Sequence, residues 1–265
     1  MRMATPNMLA FFIQASVSMA EVWYIGKLGT LSLASIALVF PLLMLMQMMS
    51  GGALGGAVTA SIARALGGGN RNRAEQLVWH GLIIAVLGAF TFLVLFAVLG
   101  ELFLIFLGGE GGILQRALDY CWILFPGAAL IWIMNISSSV YRGMGNMQFP
   151  ASMMILSAVI QVPLSGALIL GWWGVPQLGI KGAAISTVIV SGLIAAILVV
   201  RLIIGKETLK LHPGSFHLQP DLFRDIFRVA LPASDCDRVN NYEFDRYCGS
   251  LWTCCTGGLW DWFPA

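Results

Sequence analysis

Six long stretches of this chain carry no charged residue: Met3–Ala20, Leu28–Ala63, Gln76–Gly100, Tyr120–Tyr141, Gly143–Ile180 and Gly182–Val200. An apolar run of about 18 residues without charge is long enough for a helix to cross the hydrocarbon of a bilayer. The two longest runs exceed one crossing, and Gly, Pro and Trp near their ends divide each into a helix and a loop. The pattern predicts helices near residues 5–26, 34–64, 77–106, 119–141, 150–172 and 183–204. Residues 205–227 read as a polar connector on the cytoplasmic side, and Arg228–Ser234 reads as the start of a seventh helix. The expected fold class is an all-α membrane protein, a six-transmembrane-helix bundle over residues 1–204.

A secretory signal peptide competes for the first run. One Arg precedes it, and no small-residue cleavage site ends a short apolar core before Glu21, so it is counted as a helix of the mature chain. Composition strengthens the membrane reading. Of 265 residues 58% are hydrophobic and 11% charged, against roughly 25% charged in soluble domains. One globular core cannot hide that much apolar surface. A net charge of +2 with scattered basic residues excludes nucleic acid as a partner.

Lys and Arg set the orientation. With the amino terminus cytoplasmic, ten basic residues fall inside (Arg2, Arg64, Arg71, Arg73, Arg142, Arg201, Lys206, Lys210, Arg224 and Arg228). Three, Lys27, Arg116 and Lys181, fall outside. Both ends of the six-helix unit are therefore expected in the cytoplasm. That arrangement suits a duplicated carrier whose second half repeats the first in parallel. A trace of such a repeat is present: Arg2-Met3-Ala4-Thr5-Pro6 recurs in pattern as Arg228-Val229-Ala230-Leu231-Pro232, at an offset of 226.

The chain up to about residue 234 resembles the multidrug and toxic compound extrusion (MATE) family of cation-coupled efflux transporters. The resemblance rests on Glu21-Val22-Trp23-Tyr24-Ile25-Gly26-Lys27-Leu28-Gly29, a carboxylate before an aromatic-rich Gly-x-Leu-Gly turn. Leu33-Ala34, Ile62-Ala63-Arg64-Ala65-Leu66-Gly67, Arg73-Ala74 and Arg142-Gly143-Met144-Gly145-Asn146 follow in order. The resemblance implies one lobe of a two-lobe antiporter in the plasma membrane (the inner membrane of a bacterium). Such a carrier exchanges small, cationic amphipathic drugs for protons or sodium ions. It implies no enzymatic activity, no cofactor beyond the coupling ion, membrane lipid as surroundings and a second lobe as partner. Alternative readings are a non-transporting fragment, a partner subunit of a split transporter, or a lipid-linked precursor flippase of related architecture. Basic residues inside the cavity would favour the flippase, and the charge-free runs of the predicted spans hold none.

Glu21 is an acid inside a predicted span, and an ionisable group there marks a functional site by default. Asn7, Gln14, Ser18 and Glu21 are separated by seven, four and three residues, which puts them on one helical stripe. A carboxylate so placed can carry a proton from one side to the other, or hold a cation when ionised. An interfacial Glu close to the outer surface is the plainer reading. The resemblance puts the family's first-helix acid at Glu21, with Glu where many members carry Asp. In the fifth helix Ser157, Gln161 and Ser165 recur on one face around Pro163. There the resemblance implies an Asn and an Asp, and Gln161 and Ser165 stand in the matching places, so the second carboxylate is missing. Packing between helices remains open for this stripe.

Asn135, with Ser138 and Ser139, either completes a cavity or lets helices approach closely. Gln47 lies among Met44, Met46, Met48 and Met49. Flexible thioethers suit a surface that accepts several substrates, or simply fill space. The pairs Gly51/Gly55 and Gly52/Gly56 have the spacing of a helix-packing seam. Gly67-Gly68-Gly69-Asn70-Arg71 lacks the Gly-Lys-Ser/Thr ending of a phosphate loop. It reads as a helix stop, with Asn72 and Glu75 spaced as a capping box for the third helix.

From Asp235 the chain changes character. Seven charges fall in the last 31 residues against 21 in the first 234, and four of the five Cys (Cys236, Cys248, Cys254 and Cys255) lie there. Four Cys could close a zinc site, but paired ligands within a knuckle sit two to four residues apart, and here two are isolated and two adjacent. Residues 235–265 are expected to be a non-family tail read out of frame after Ser234. The chain as given is then expected not to transport alone.

Overall fold

The computed structural model describes residues 4–171 and 177–204, with side chains from residue 12 onward. The connector at 205–227, the seventh-helix start at 228–234 and the tail at 235–265 lie outside the described residues. Six helices and no strand occur among those described: α1 Ala4–Gly26, α2 Thr30–Gly67, α3 Arg71–Phe106, α4 Gly111–Gly143, α5 Gln148–Leu170 and α6 Ile180–Ile204. The five from α2 to α6 are each long and apolar enough to cross a membrane. The protein is an all-α, multi-pass membrane protein.

The helices overrun the charge-free stretches. A 36-residue helix such as α3 spans about 54 Å, well beyond hydrocarbon about 30 Å thick. Charges at its ends therefore sit past the lipid and do not stop the helix. The start of α3 corrects the expected cap. Asn72 and Glu75 are already helical, and Asn70 is the N-cap, its Oδ1 accepting from Arg73 N at 3.0 Å. Gly69, at φ +72°, turns the chain out of α2, with Asn70 N bonded to Ala65 O and Gly69 N to Leu66 O. That pairing is a Schellman close. The same device recurs at Gly145, and Asn146 Oδ1 accepts from Phe149 N at 3.1 Å. In both turns an Asn directly after the left-handed Gly ends one helix and caps the next.

Short turns make sequential neighbours antiparallel. One end of the bundle gathers the α1–α2 and α3–α4 turns and the start of α6, with Lys27, Arg116 and Lys181. The other carries the α2–α3 and α4–α5 turns, with Arg64, Arg71, Arg73, Arg142 and Arg201 at helix ends. Helix α4 is the hub, packed against α6, α3 and α2, while α1 leans on α5. Trp132, Tyr141 and Phe125 of α4 are fully buried. Phe125 stacks on Phe96 with centroids 4.3 Å apart, and Tyr141 Oη donates to Leu198 O at 3.0 Å. By contrast α3 turns Val86, Leu87, Phe90, Val94, Val98, Leu102 and Phe106 outward. Water would not tolerate a stripe that long and apolar, and lipid tails solvate it.

Lipid gives helices no hydrophobic reason to associate, so contact depends on close packing and polar ties. The α2–α4 seam shows both. A methyl added to Gly55 would fall 2.6 Å from Ser139 Oγ, and one on Gly51 would fall 3.8 Å from Asn135 Cγ. Thr59 Oγ1 donates to Ser139 O at 2.9 Å. Of the two expected glycine pairs, Gly51/Gly55 faces α4, whereas Gly56 meets nothing within 4 Å. Inside α2 the backbone widens to a π-helix over Met48–Leu54, around Ser50-Gly51-Gly52. Such insertions are frequent at functional sites.

Candidate functional site

Three helices converge on one carboxylate. Glu21 lies five residues before the end of α1, at the edge of the stripe formed by the buried Val17, Tyr24 and Ile25. Across from it, on α5, Gln161 is 8% exposed, and its Nε2 donates to Glu21 Oε1 at 2.6 Å. The same Nε2 donates to Thr187 Oγ1 on α6 at 3.0 Å, and Thr187 Oγ1 donates to Ala183 O at 3.0 Å. Both amide hydrogens of Gln161 are thus engaged, one on the carboxylate and one on the hydroxyl. The chain of bonds has a direction: α6 backbone anchors Thr187, Thr187 anchors Gln161, and Gln161 presents a donor to Glu21.

Such an arrangement can do two things. It holds an ionised Glu21 by a charge-assisted bond, worth more than a neutral one. It also links carboxylate, amide and hydroxyl groups from three helices in one chain of hydrogen bonds. Loss of the charge on Glu21 weakens the tie between α1 and α5 directly.

The remaining sequence candidates are placed as follows. Gln14 and Ser18 are exposed on α1, and Ser18 Oγ bonds its own helix at Gln14 O. The structure does not bring them to Gln161, and the side chain of Asn7 lies outside the described residues. Ser165 is fully buried and bonds Val162 O within α5, while Ser157 bonds Met154 O. Gln47 and Asn135 do meet, in a second cluster: Asn135 Nδ2 donates to Gln47 Oε1 at 2.9 Å and to Ser50 Oγ at 2.8 Å. This cluster joins α4 to the beginning of the π segment of α2. Met46 is buried beside it, whereas Met44, Met48 and Met49 are exposed.

Thr187 is the residue that sequence reasoning missed. Within Ala-Ile-Ser-Thr-Val it reads as β-branched filler of an apolar helix. The available signal was only its hydroxyl within an apolar helix, which can bond the carbonyl four residues earlier and turn its oxygen to a neighbour. His80, which the sequence pattern does not single out, is fully buried in α3, with Nδ1 2.7 Å from Gln76 O.

Residues 6–166 match the MatE family model. The chain belongs to the MatE family. These are transporters, not enzymes. Among relatives, the probable multidrug resistance protein NorM of Thermotoga maritima is 26% identical over 243 residues, which cover 92% of this chain and 51% of that protein. The FAD transporter of Shewanella oneidensis is 29% identical over 191 residues, covering 71% and 41%. Among solved structures, a MOP superfamily transporter from Pyrococcus furiosus superposes with a TM-score of 0.80 at 23% identity. An outward-facing multidrug resistance MATE transporter superposes at 0.79 and 24%. Each alignment covers 87% of this chain and 50% of the solved one. The chain spans about half the length of the curated relatives it matches.

Proposed function

We propose that this chain is the amino-terminal half of a cation-coupled multidrug efflux antiporter, with Glu21 as the ion-coupling residue. The observation that carries the reading is the bond from Gln161 to Glu21, backed by Thr187. A proton or a sodium ion arriving at Glu21 changes how strongly α1 is held to α5. An ion can shift a conformational equilibrium only by binding one state better than the other, and a carboxylate shared between two helices meets that requirement. The cargo class is small cationic amphipathic drugs. It is supported by the multidrug resistance names of several relatives. The exposed Met44, Met48 and Met49, flexible apolar groups beside the Gln47–Asn135–Ser50 cluster, point the same way. A second six-helix half faces the open side of α1 and α2 in the complete transporter, since alternating access needs one bundle to move against another.

The test is reconstitution of the complete transporter containing these residues in liposomes, with proton and sodium gradients imposed in turn. Uptake of a fluorescent cationic drug that follows one gradient and stops when it is collapsed is the expected result. Drug movement indifferent to both gradients would overturn the coupling.

The amino terminus is proposed to be cytoplasmic and the membrane a plasma membrane. Single Cys substitutions at Arg71, Arg73, Lys27 and Lys181, in a background without the native Cys, are to be treated with an impermeant thiol reagent on intact cells. Lys27→Cys and Lys181→Cys are expected to label from outside, and the other two only after lysis. Labelling of Arg71→Cys on intact cells would reverse the orientation.

A further inference from the structure

Beside the α1–α2 turn, α2, α4 and α6 begin around a cavity of about 330 Å³. Leu28, Ser32, Arg116, Asp119, Gln177 and Lys181 line it, with the backbone at Gly179–Ile180. That volume is at the lower end of small-molecule sites, which run from ~300 to ~1,000 Å³.

The lining is unbalanced in charge. Lys181 Nζ stands 3.2 Å from Asp119 Oδ2, so one cation and one carboxylate offset each other. Arg116 has no carboxylate within ion-pair distance among the described residues. Its Nη1 donates to Ser32 Oγ at 2.6 Å, a neutral oxygen that is 1% exposed. A guanidinium has five N–H donors in a planar fork, so most of this one remains free to face the cavity. The buried Ser32 hydroxyl, its oxygen taken by Arg116, keeps its own hydrogen to donate. Gln177 adds an amide, and the first turn of α6 points its N–H groups and the positive end of its dipole the same way. Apart from Asp119, which Lys181 offsets, the lining favours one negative charge.

We propose that this cavity binds a small monoanion, a carboxylate or a phosphate group. Arg116 is its principal donor, with Lys181 and Gln177 as secondary donors, and Asp119 weakens binding by repulsion. The phosphate belongs either to a free ion or to a lipid headgroup. The assignment does not depend on Glu21 or on the transport cycle.

The test uses the purified full chain in phosphatidylcholine nanodiscs. Sodium phosphate and sodium acetate are titrated at constant ionic strength against sodium chloride, and the thermal midpoint is followed. Phosphate or acetate is expected to raise the midpoint in a saturable way. Arg116→Gln is expected to weaken the apparent affinity about tenfold, the scale of a lost charge-assisted contact. Asp119→Asn, which removes the competing carboxylate, is expected to strengthen it. A second arm replaces part of the lipid by phosphatidylglycerol. If that lipid abolishes the phosphate response and stays with the protein in native mass spectrometry, the occupant is a headgroup. If the phosphate response persists, it is a free ion. No stabilisation by either phosphate or acetate in phosphatidylcholine, or Arg116→Gln and Asp119→Asn shifting affinity in the same direction, would overturn the proposal.

Discussion

In the complete transporter containing these residues, Glu21→Gln is expected to abolish the dependence of drug efflux on the ion gradient while leaving the fold in place. Glutamine has the shape of glutamate, and its Oε1 can still accept from Gln161 Nε2, so the 2.6 Å contact between α1 and α5 survives as a neutral bond. The stability cost is the difference between a charged and a neutral hydrogen bond, ~1 kcal/mol. What disappears is the ability to take up and release a charge. Gradient-driven efflux should therefore fall to background, with the thermal midpoint close to wild type. Gln161→Leu separates the two roles. It deletes the donor and keeps the carboxylate, so coupling persists with a changed apparent ion affinity. Thr187→Val removes only the support behind Gln161, and its effect should be smaller and in the same direction as that of Gln161→Leu. Efflux by Glu21→Gln at the wild-type rate, with the same response to a collapsed gradient, would exclude Glu21 as the coupling group.

The membrane helices could be read from the sequence because charge-free runs report what lipid accepts. They did not report helix ends, because Arg71, Arg73 and Glu75 continue α3 beyond the hydrocarbon under the cap of Asn70. Glu21 was legible for the same reason: a lone acid in an apolar run has to be accommodated by something. Its partner was legible as a polar residue but not as a partner. Nothing in one sequence says that Gln161, 140 residues away, faces Glu21 while Ser165, one turn on, bonds its own backbone. The stripe through Gln14 and Ser18 lies on a flank of α1 that the described helices leave exposed, so among the described residues it does not meet Gln161. Gln47 and Asn135 were named for separate reasons and meet where the π segment over Met48–Leu54 begins. A segment of this kind leaves no periodic signature beyond a Ser-Gly-Gly triplet.

Gly182→Ala is expected to destabilise the bundle and to loosen the Glu21 site from a distance. A methyl group built on Gly182 would lie 2.6 Å from Leu168 O, 2.7 Å from Leu168 C and 3.1 Å from Ile169 N. All three are backbone atoms of α5, so no side chain can swing aside. The Leu168 carbonyl is itself held by Leu178 N at 3.1 Å, which ties it to the residues leading into α6. Relief requires α6 to move outward by a large fraction of an ångström, and overpacking of this kind costs about 1–3 kcal/mol. Thr187 follows Gly182 by five residues on the same helix, and its oxygen receives Gln161 at 3.0 Å. Displacement of α6 lengthens that bond first, and Gln161 then loses the support that aims it at Glu21. The variant should therefore show a lower thermal midpoint and a weakened response to the ion gradient, although Gly182 touches neither Glu21 nor Gln161. Gly56→Ala is the control. Its added methyl meets nothing within 4 Å, and replacing Gly by Ala inside a helix stabilises it by ~0.5–1 kcal/mol. Opposite shifts of the midpoint in the two variants would show that the close approach of α5 and α6 is what Gly182 provides. A Gly182→Ala midpoint at or above wild type would mean that the two helices do not approach this closely in the membrane.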